Sequence, residues 1–126
     1  MKDCMEDKML GDVVYVDEAE GLNRILQNKK LYVKLLDKFK ALFNSKLDEL
    51  ILNLKEGKNE EAQAIAHALK GAAANLSLTE LYKQSLNVES QIKSNVVNSE
   101  SLQNIKVCFD NTLNAIDVVI KKYGGL

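Results

Sequence analysis

Apolar residues recur at steps of three and four along most of the chain. Tyr32, Leu36, Phe39, Phe43, Leu47, Leu50 and Leu54 make one such row, and at 3.6 residues per turn they share one side of a helix. This row predicts a long helix opened by Asn28 and stopped near Gly57. Before it, Asp17 with Glu20 three residues on reads as a capping box, which predicts a short helix over about 17–27 with Leu22, Ile25 and Leu26 along one side. After it, "EGKNEE" supplies a stop glycine and Asn59 as the next N-cap, with Glu60 and Glu61 well placed against the helix dipole. A third helix then runs over about 60–76. A fourth begins at Ser77, where "SLTE" reads as another capping box, and carries Leu78, Leu81, Ser85, Val88, Ile92 and Val96 before ending at about 95–98. The last shows Leu102, Ile105, Phe109, Leu113, Ile116, Ile120 and Tyr123 before "GGL".

Each long helix has an apolar side and needs partners for it. Connections of a few residues favour antiparallel neighbours, so the expected fold is all-α: an antiparallel up-down-up-down four-helix bundle with a short accessory N-terminal helix. The glycine and asparagine turns between stripes suit separate helices better than an extended coiled coil. Residues 1–16 read as a mobile or extended lead-in, in which "VVYV" at 13–16 can lie against a core, and 17–126 as the bundle domain. With 126 residues and no proline, the composition agrees with a single helical core.

Charge and composition narrow the partners. A formal net charge of −1 and the absence of tryptophan make nucleic acid an unsuitable ligand. No run of about eighteen apolar residues suggests a membrane span, and "MKDCMEDKML" lacks the apolar stretch of a signal peptide. The two cysteines, Cys4 and Cys108, follow no paired pattern, so reduced thiols and a cytoplasmic location are expected. A lone histidine and two distant cysteines assemble into no metal-ligand set.

The one histidine, His67, sits in "IAHALKGAAANL". Ile65, Leu69, Ala72 and Leu76, widened by Ala62 and Ala73, mark the core side of the third helix, and a count of about 100° per residue puts His67 roughly opposite. Its own side carries Glu60, Gln63, Ala64, Lys70, Gly71 and Ala74, mostly small or polar. Gly71 lies mid-helix, where glycine costs about 1 kcal/mol relative to alanine, and no turn or cap accounts for it. A missing side chain one turn from the imidazole leaves room for another protein or a phosphoryl group. Lys70, three residues on, can set an ammonium beside an anion there.

"HALKG" at 67–71 matches the motif of the histidine phosphotransfer (HPt) family, which reads histidine, any residue, leucine, lysine, glycine. "GLNRILQNKKLYVKLLDKF" at 21–39 resembles the family's first helix and its turn into the second. Leu81 and Glu89 fall where members commonly carry leucine and glutamate, so the resemblance spans about 17–122. In "GAAANLSL", Ala74 and Ser77 stand where many members have glycine, and Leu78 where they have a small residue.

The resemblance implies a stoichiometric phosphoryl carrier with no ATP binding or autokinase activity. His67 would take a phosphoryl group from the phosphoaspartate of one response-regulator receiver domain and pass it to the aspartate of another, in a relay fed by a hybrid sensor histidine kinase. Neutral imidazole is a good nucleophile near neutral pH. Lys70 would stabilise the charge of the phosphoryl group, and Mg²⁺ would come from the receiver, since the chain has no clustered acidic pocket or P-loop. Gln63, Ala64, Gly71 and Ala74 are the expected receiver-docking residues, with Leu22, Ile25 or Leu26 at the edge. A monomer is expected, because the stripes can satisfy one another. The rival reading is a helical adaptor that docks regulators without carrying phosphate.

Overall fold

Six helical segments account for the secondary structure of the computed structural model, which describes residues 13–125. They are α1 (Glu18–Arg24), α2 (Lys29–Phe43), α3 (Lys46–Lys55), α4 (Asn59–Leu76), α5 (Thr79–Lys93) and α6 (Ser99–Lys122). No strand occurs among the described residues. Residues 1–12, with Cys4 and most of the expected lead-in, lie outside them, as does Leu126.

Side-chain caps open three of the helices. Asp17 accepts from the Glu20 amide at 3.2 Å, Asn28 from Leu31 at 3.0 Å and Asn98 from Ser101 at 2.7 Å, each satisfying an amide with no partner inside its helix. Gly57, at φ 76°, closes α3, and the Lys58 amide reaches back to the Asn53 carbonyl at 2.7 Å, the long return bond of a Schellman turn.

The expected long helix from Asn28 to Gly57 is two helices. Ser45 leaves the helical region at φ −111°, ψ 0°. Asn and Ser favour local backbone contacts over a helix interior, and the Asn44–Ser45 step breaks the rod there. The apolar row survives the break, since Phe39, Leu47 and Leu50 are all buried. The next N-cap is Lys58 in place of Asn59, whose side chain instead donates to Asn95 Oδ1 at 3.0 Å.

Ser77 departs further from expectation. It does not cap α5; it ends α4 in the left-handed conformation at φ 59°, ψ 40°, and Leu78 occupies the N-cap position without a side-chain bond. Its hydroxyl is buried with no hydrogen-bond partner. A left-handed residue is ordinarily glycine, so this backbone would favour glycine at the position. Val96, expected on the α5 stripe, lies beyond the helix and is 61% exposed.

The core runs through all six segments. Consecutive segments pack on one another from α1 to α6, α2 also meets α4, and α6 returns to lie on α2. Leu36, Leu50, Ala66, Leu81, Val88, Ile105 and Ile116 are fully buried. Phe39 stacks on Phe43 and meets Phe109 across the core. Tyr15 and Val16 pack against this core, and Tyr15 accepts a bond from Asn111 at 3.0 Å. Segment α1 is tied to the end of α6, where Glu18 accepts from Lys122 at 3.0 Å and from the Tyr123 hydroxyl at 2.9 Å. Cys108 is buried beside Thr112, and burial above all pushes its thiol up to about 11, so it stays protonated. No helix among the described residues is long and apolar enough to cross a membrane.

Candidate functional site

Helix α4 turns one side to the core and the other outward. Ala62, Ala66, Leu69, Ala73 and Leu76 are buried, with Ile65 and Ala72 partly so. The His67 side chain, on the outward side, is 70% exposed. Glu60, Gln63 and Ala64 on α4 line the same depression, and Glu89 and Lys93 enter it from α5.

The group that organises the site is Glu89. Its side chain is only 4% exposed, yet its two oxygens meet three side chains: His67 Nδ1 at 2.9 Å from Oε2, Lys70 Nζ at 2.7 Å from Oε1 and Lys93 Nζ at 3.8 Å from Oε2. Burial alone would raise its pKa, but hydrogen bonds from Lys70 and His67, with the charges of Lys70 and Lys93, outweigh that and hold it below the ordinary carboxylate value. A carboxylate that is ionised can only accept, so His67 Nδ1 must carry the hydrogen between them. Whenever the ring is neutral, this bond selects the tautomer with its lone pair on Nε2.

Not every expected site residue belongs to this depression. Gln63 and Ala64 line it. Gly71 is exposed one turn along, and a Cβ built on it meets nothing within 4 Å. Ala74 is half-buried and faces a separate cleft with Glu20, Arg24, Ser77, Thr79 and Tyr82, because it lies about two turns of α4 beyond His67, toward α1. Of the residues expected at the edge, Leu22 is buried in the core, Leu26 is 91% exposed, and Ile25 lines a larger apolar groove between α2 and α4 with Leu42, Phe43 and Ala72. Lys70 reaches inward to Glu89.

The sequence placed Glu89 only by resemblance and gave it no role. Its signal was a lone acid within the apolar row of α5, between Val88 and Ile92. Lys93, one turn beyond it, gave no signal that separates it from any exposed lysine.

The model of the Hpt domain matches residues 34–117, about two-thirds of the chain, including α4, α5 and every residue that meets Glu89. The chain belongs to the Hpt domain family. As an Hpt domain it is a phosphotransfer module of phosphorelay signalling, a phosphocarrier of the kind that works with receiver domains and kinases. Searches of curated proteins and of solved structures return no match.

Proposed function

We propose that His67 is the phosphoryl acceptor and donor of this Hpt domain, taking the group from a receiver phosphoaspartate and passing it to the aspartate of another receiver. The observation that carries this reading is an exposed imidazole whose Nδ1 is tied to a buried carboxylate, which leaves Nε2 free toward solvent. On attack, a bond forms between Nε2 and phosphorus as the bond from phosphorus to the receiver's aspartate oxygen breaks, its electron pair returning to that carboxylate. The ring keeps its Nδ1 proton and takes a positive charge, which the Glu89 carboxylate balances. No separate base is required, because no proton has to leave the nucleophile. Transfer runs in reverse to the second receiver by the same displacement.

Phosphoryl transfer depends on alignment and on charge around the equatorial oxygens. Glu89 aligns the ring; Lys70 adds positive potential at its edge through the same carboxylate. Gln63, Ala64 and Gly71 form the receiver-docking floor, and Ala74 extends it toward α1. The open space over Gly71 supports close approach of a partner backbone. Mg²⁺ is expected from the receiver, a reading supported by the carboxylate nearest His67 being engaged by two lysines.

Short connections support an up-down-up-down order for α2/α3, α4, α5 and α6, with α1 accessory, in a monomeric, cytoplasmic domain over 17–126 that neither binds ATP nor phosphorylates itself. Incubation with a phosphorylated receiver is expected to place acid-labile phosphate on the wild-type chain and none on H67Q, at unchanged helicity and Tm. Phosphate on H67Q contradicts the assignment. A wild-type chain that binds receivers and takes no phosphate is a docking adaptor.

A further inference from the structure

The two lysines do not share Glu89 equally. Lys70 Nζ lies 2.7 Å from Oε1 and its side chain is 22% exposed; Lys93 Nζ lies 3.8 Å from Oε2 and its side chain is 57% exposed. Oε2 is also the oxygen that His67 Nδ1 meets. Lys93 therefore stands on the imidazole side of the carboxylate, and it lines the depression that holds His67, whereas Lys70 does not.

Movement of the two ammonium groups has different consequences. Withdrawing Lys70 breaks a short charge-assisted bond and strips a buried carboxylate of its closest counter-charge. Withdrawing Lys93 gives up only a long, solvated ion pair. A flexible lysine stem at the rim can follow the oxygens as they move through transfer, and besides Glu89 the acid that lines the depression with it, among the described residues, is Glu60.

We infer that Lys93 is the cation that meets the phosphoryl oxygens on His67, while Lys70 stays on Glu89 as a positioning residue. Lys93 acts by charge alone, and no bond to it forms or breaks. The inference rests on His67 being the acceptor and reassigns the direct phosphate contact from Lys70.

The test loads His67 in two ways, from a phosphorylated receiver and from phosphoramidate, a small donor that needs no docking surface. The chains are wild type, K93Q, K93R and K70Q, with H67Q as the blank. K93Q is expected to slow loading from both donors about tenfold at low salt, with the gap narrowing as salt rises, at unchanged Tm. K93R is expected to recover most of the rate. K70Q is expected to change the ¹⁵N shifts of the unphosphorylated His67 ring, which K93Q leaves in place. A K93Q rate within about twofold of wild type overturns the inference, whatever K70Q does. A wild-type chain that accepts phosphate from neither donor overturns the acceptor reading itself, a result distinct from any difference among the lysine variants.

Discussion

Gly21 and Gly71 are both helical glycines, and they answer to different neighbours. A Cβ on Gly21 would stand 2.5 Å from the hydroxyl oxygen of Tyr32 and 2.6 Å from its Cζ. Tyr32 cannot yield, because it is 1% exposed and donates to the Leu76 carbonyl at 2.8 Å. That corner, where α1, α2 and the end of α4 meet, is closed by the chain's own packing. Gly71 has no such reason, since nothing lies within 4 Å of a Cβ placed there. One glycine is required by the fold; the other costs helix stability with no packing reason for it, as the proposed close approach of a partner would explain. The same division runs along α4: the Leu76 end is packed in the core, and the His67 face is open to solvent, as the proposed docking role requires.

Substitutions that push each region toward the other's behaviour test this division. The largest stability effect is expected from G21A, which forces a methyl group against a buried ring and should cost about 2 kcal/mol, read by urea unfolding, with phosphoryl transfer intact in the folded fraction. A G21A chain as stable as wild type would remove the packing reason for that glycine.

On the other face, E89A should slow transfer about tenfold or more, because the imidazole loses the partner that fixes its tautomer. Stability should respond to Glu89 in a defined pH range. A carboxyl held below its ordinary value of 4.5 stabilises the fold fully above that pH, and the contribution fades as pH falls through the lowered folded-state value. E89Q should therefore flatten this part of the acid limb in thermal melts as the pH falls below 4.5. A limb identical to wild type would show that the carboxylate is not engaged in solution.

A smaller effect of opposite sign is expected from S77G. It relieves a left-handed serine and removes an unpartnered buried hydroxyl, for a gain of about 1 kcal/mol. Smallest in stability is G71A, which should stabilise α4 by up to about 1 kcal/mol while slowing transfer from a receiver. Stability and activity moving in opposite directions is the signature of a residue kept for a partner. G71A that is both more stable and equally fast would show that Gly71 is not kept for a partner.

Local chemistry made much of the fold legible. The caps at Asp17, Asn28 and the stop at Gly57 each depend on a residue and its near neighbours, and the apolar rows depend only on helical spacing. What the sequence hid depends on tertiary placement. Asn44–Ser45 carries the same apolar row on both sides, so periodicity alone passes over the break. Ser77 heads a pattern that matches a capping box, but the turn between α4 and α5 places it in a left-handed conformation, where its hydroxyl faces inward. At the site, the wheel put His67 outward because α4 is regular, and it put Lys70 beside it for the same reason. Glu89 and Lys93 lie 22 and 26 residues on in the chain, and only the packing of α5 on α4 brings them to the imidazole. The grouping of Ala74 with the histidine follows the helix face, while its axial distance sets it in a neighbouring cleft beside α1, which helix spacing alone does not show.

The most direct measurement is the position of phosphorus on the loaded protein. With His67 labelled in its ring nitrogens and loaded by a phosphorylated receiver, ³¹P–¹⁵N coupling reports which nitrogen holds the group. Coupling to Nε2, with Nδ1 still protonated toward Glu89, is the expected result; phosphorus on Nδ1, or on any residue other than His67, would contradict it.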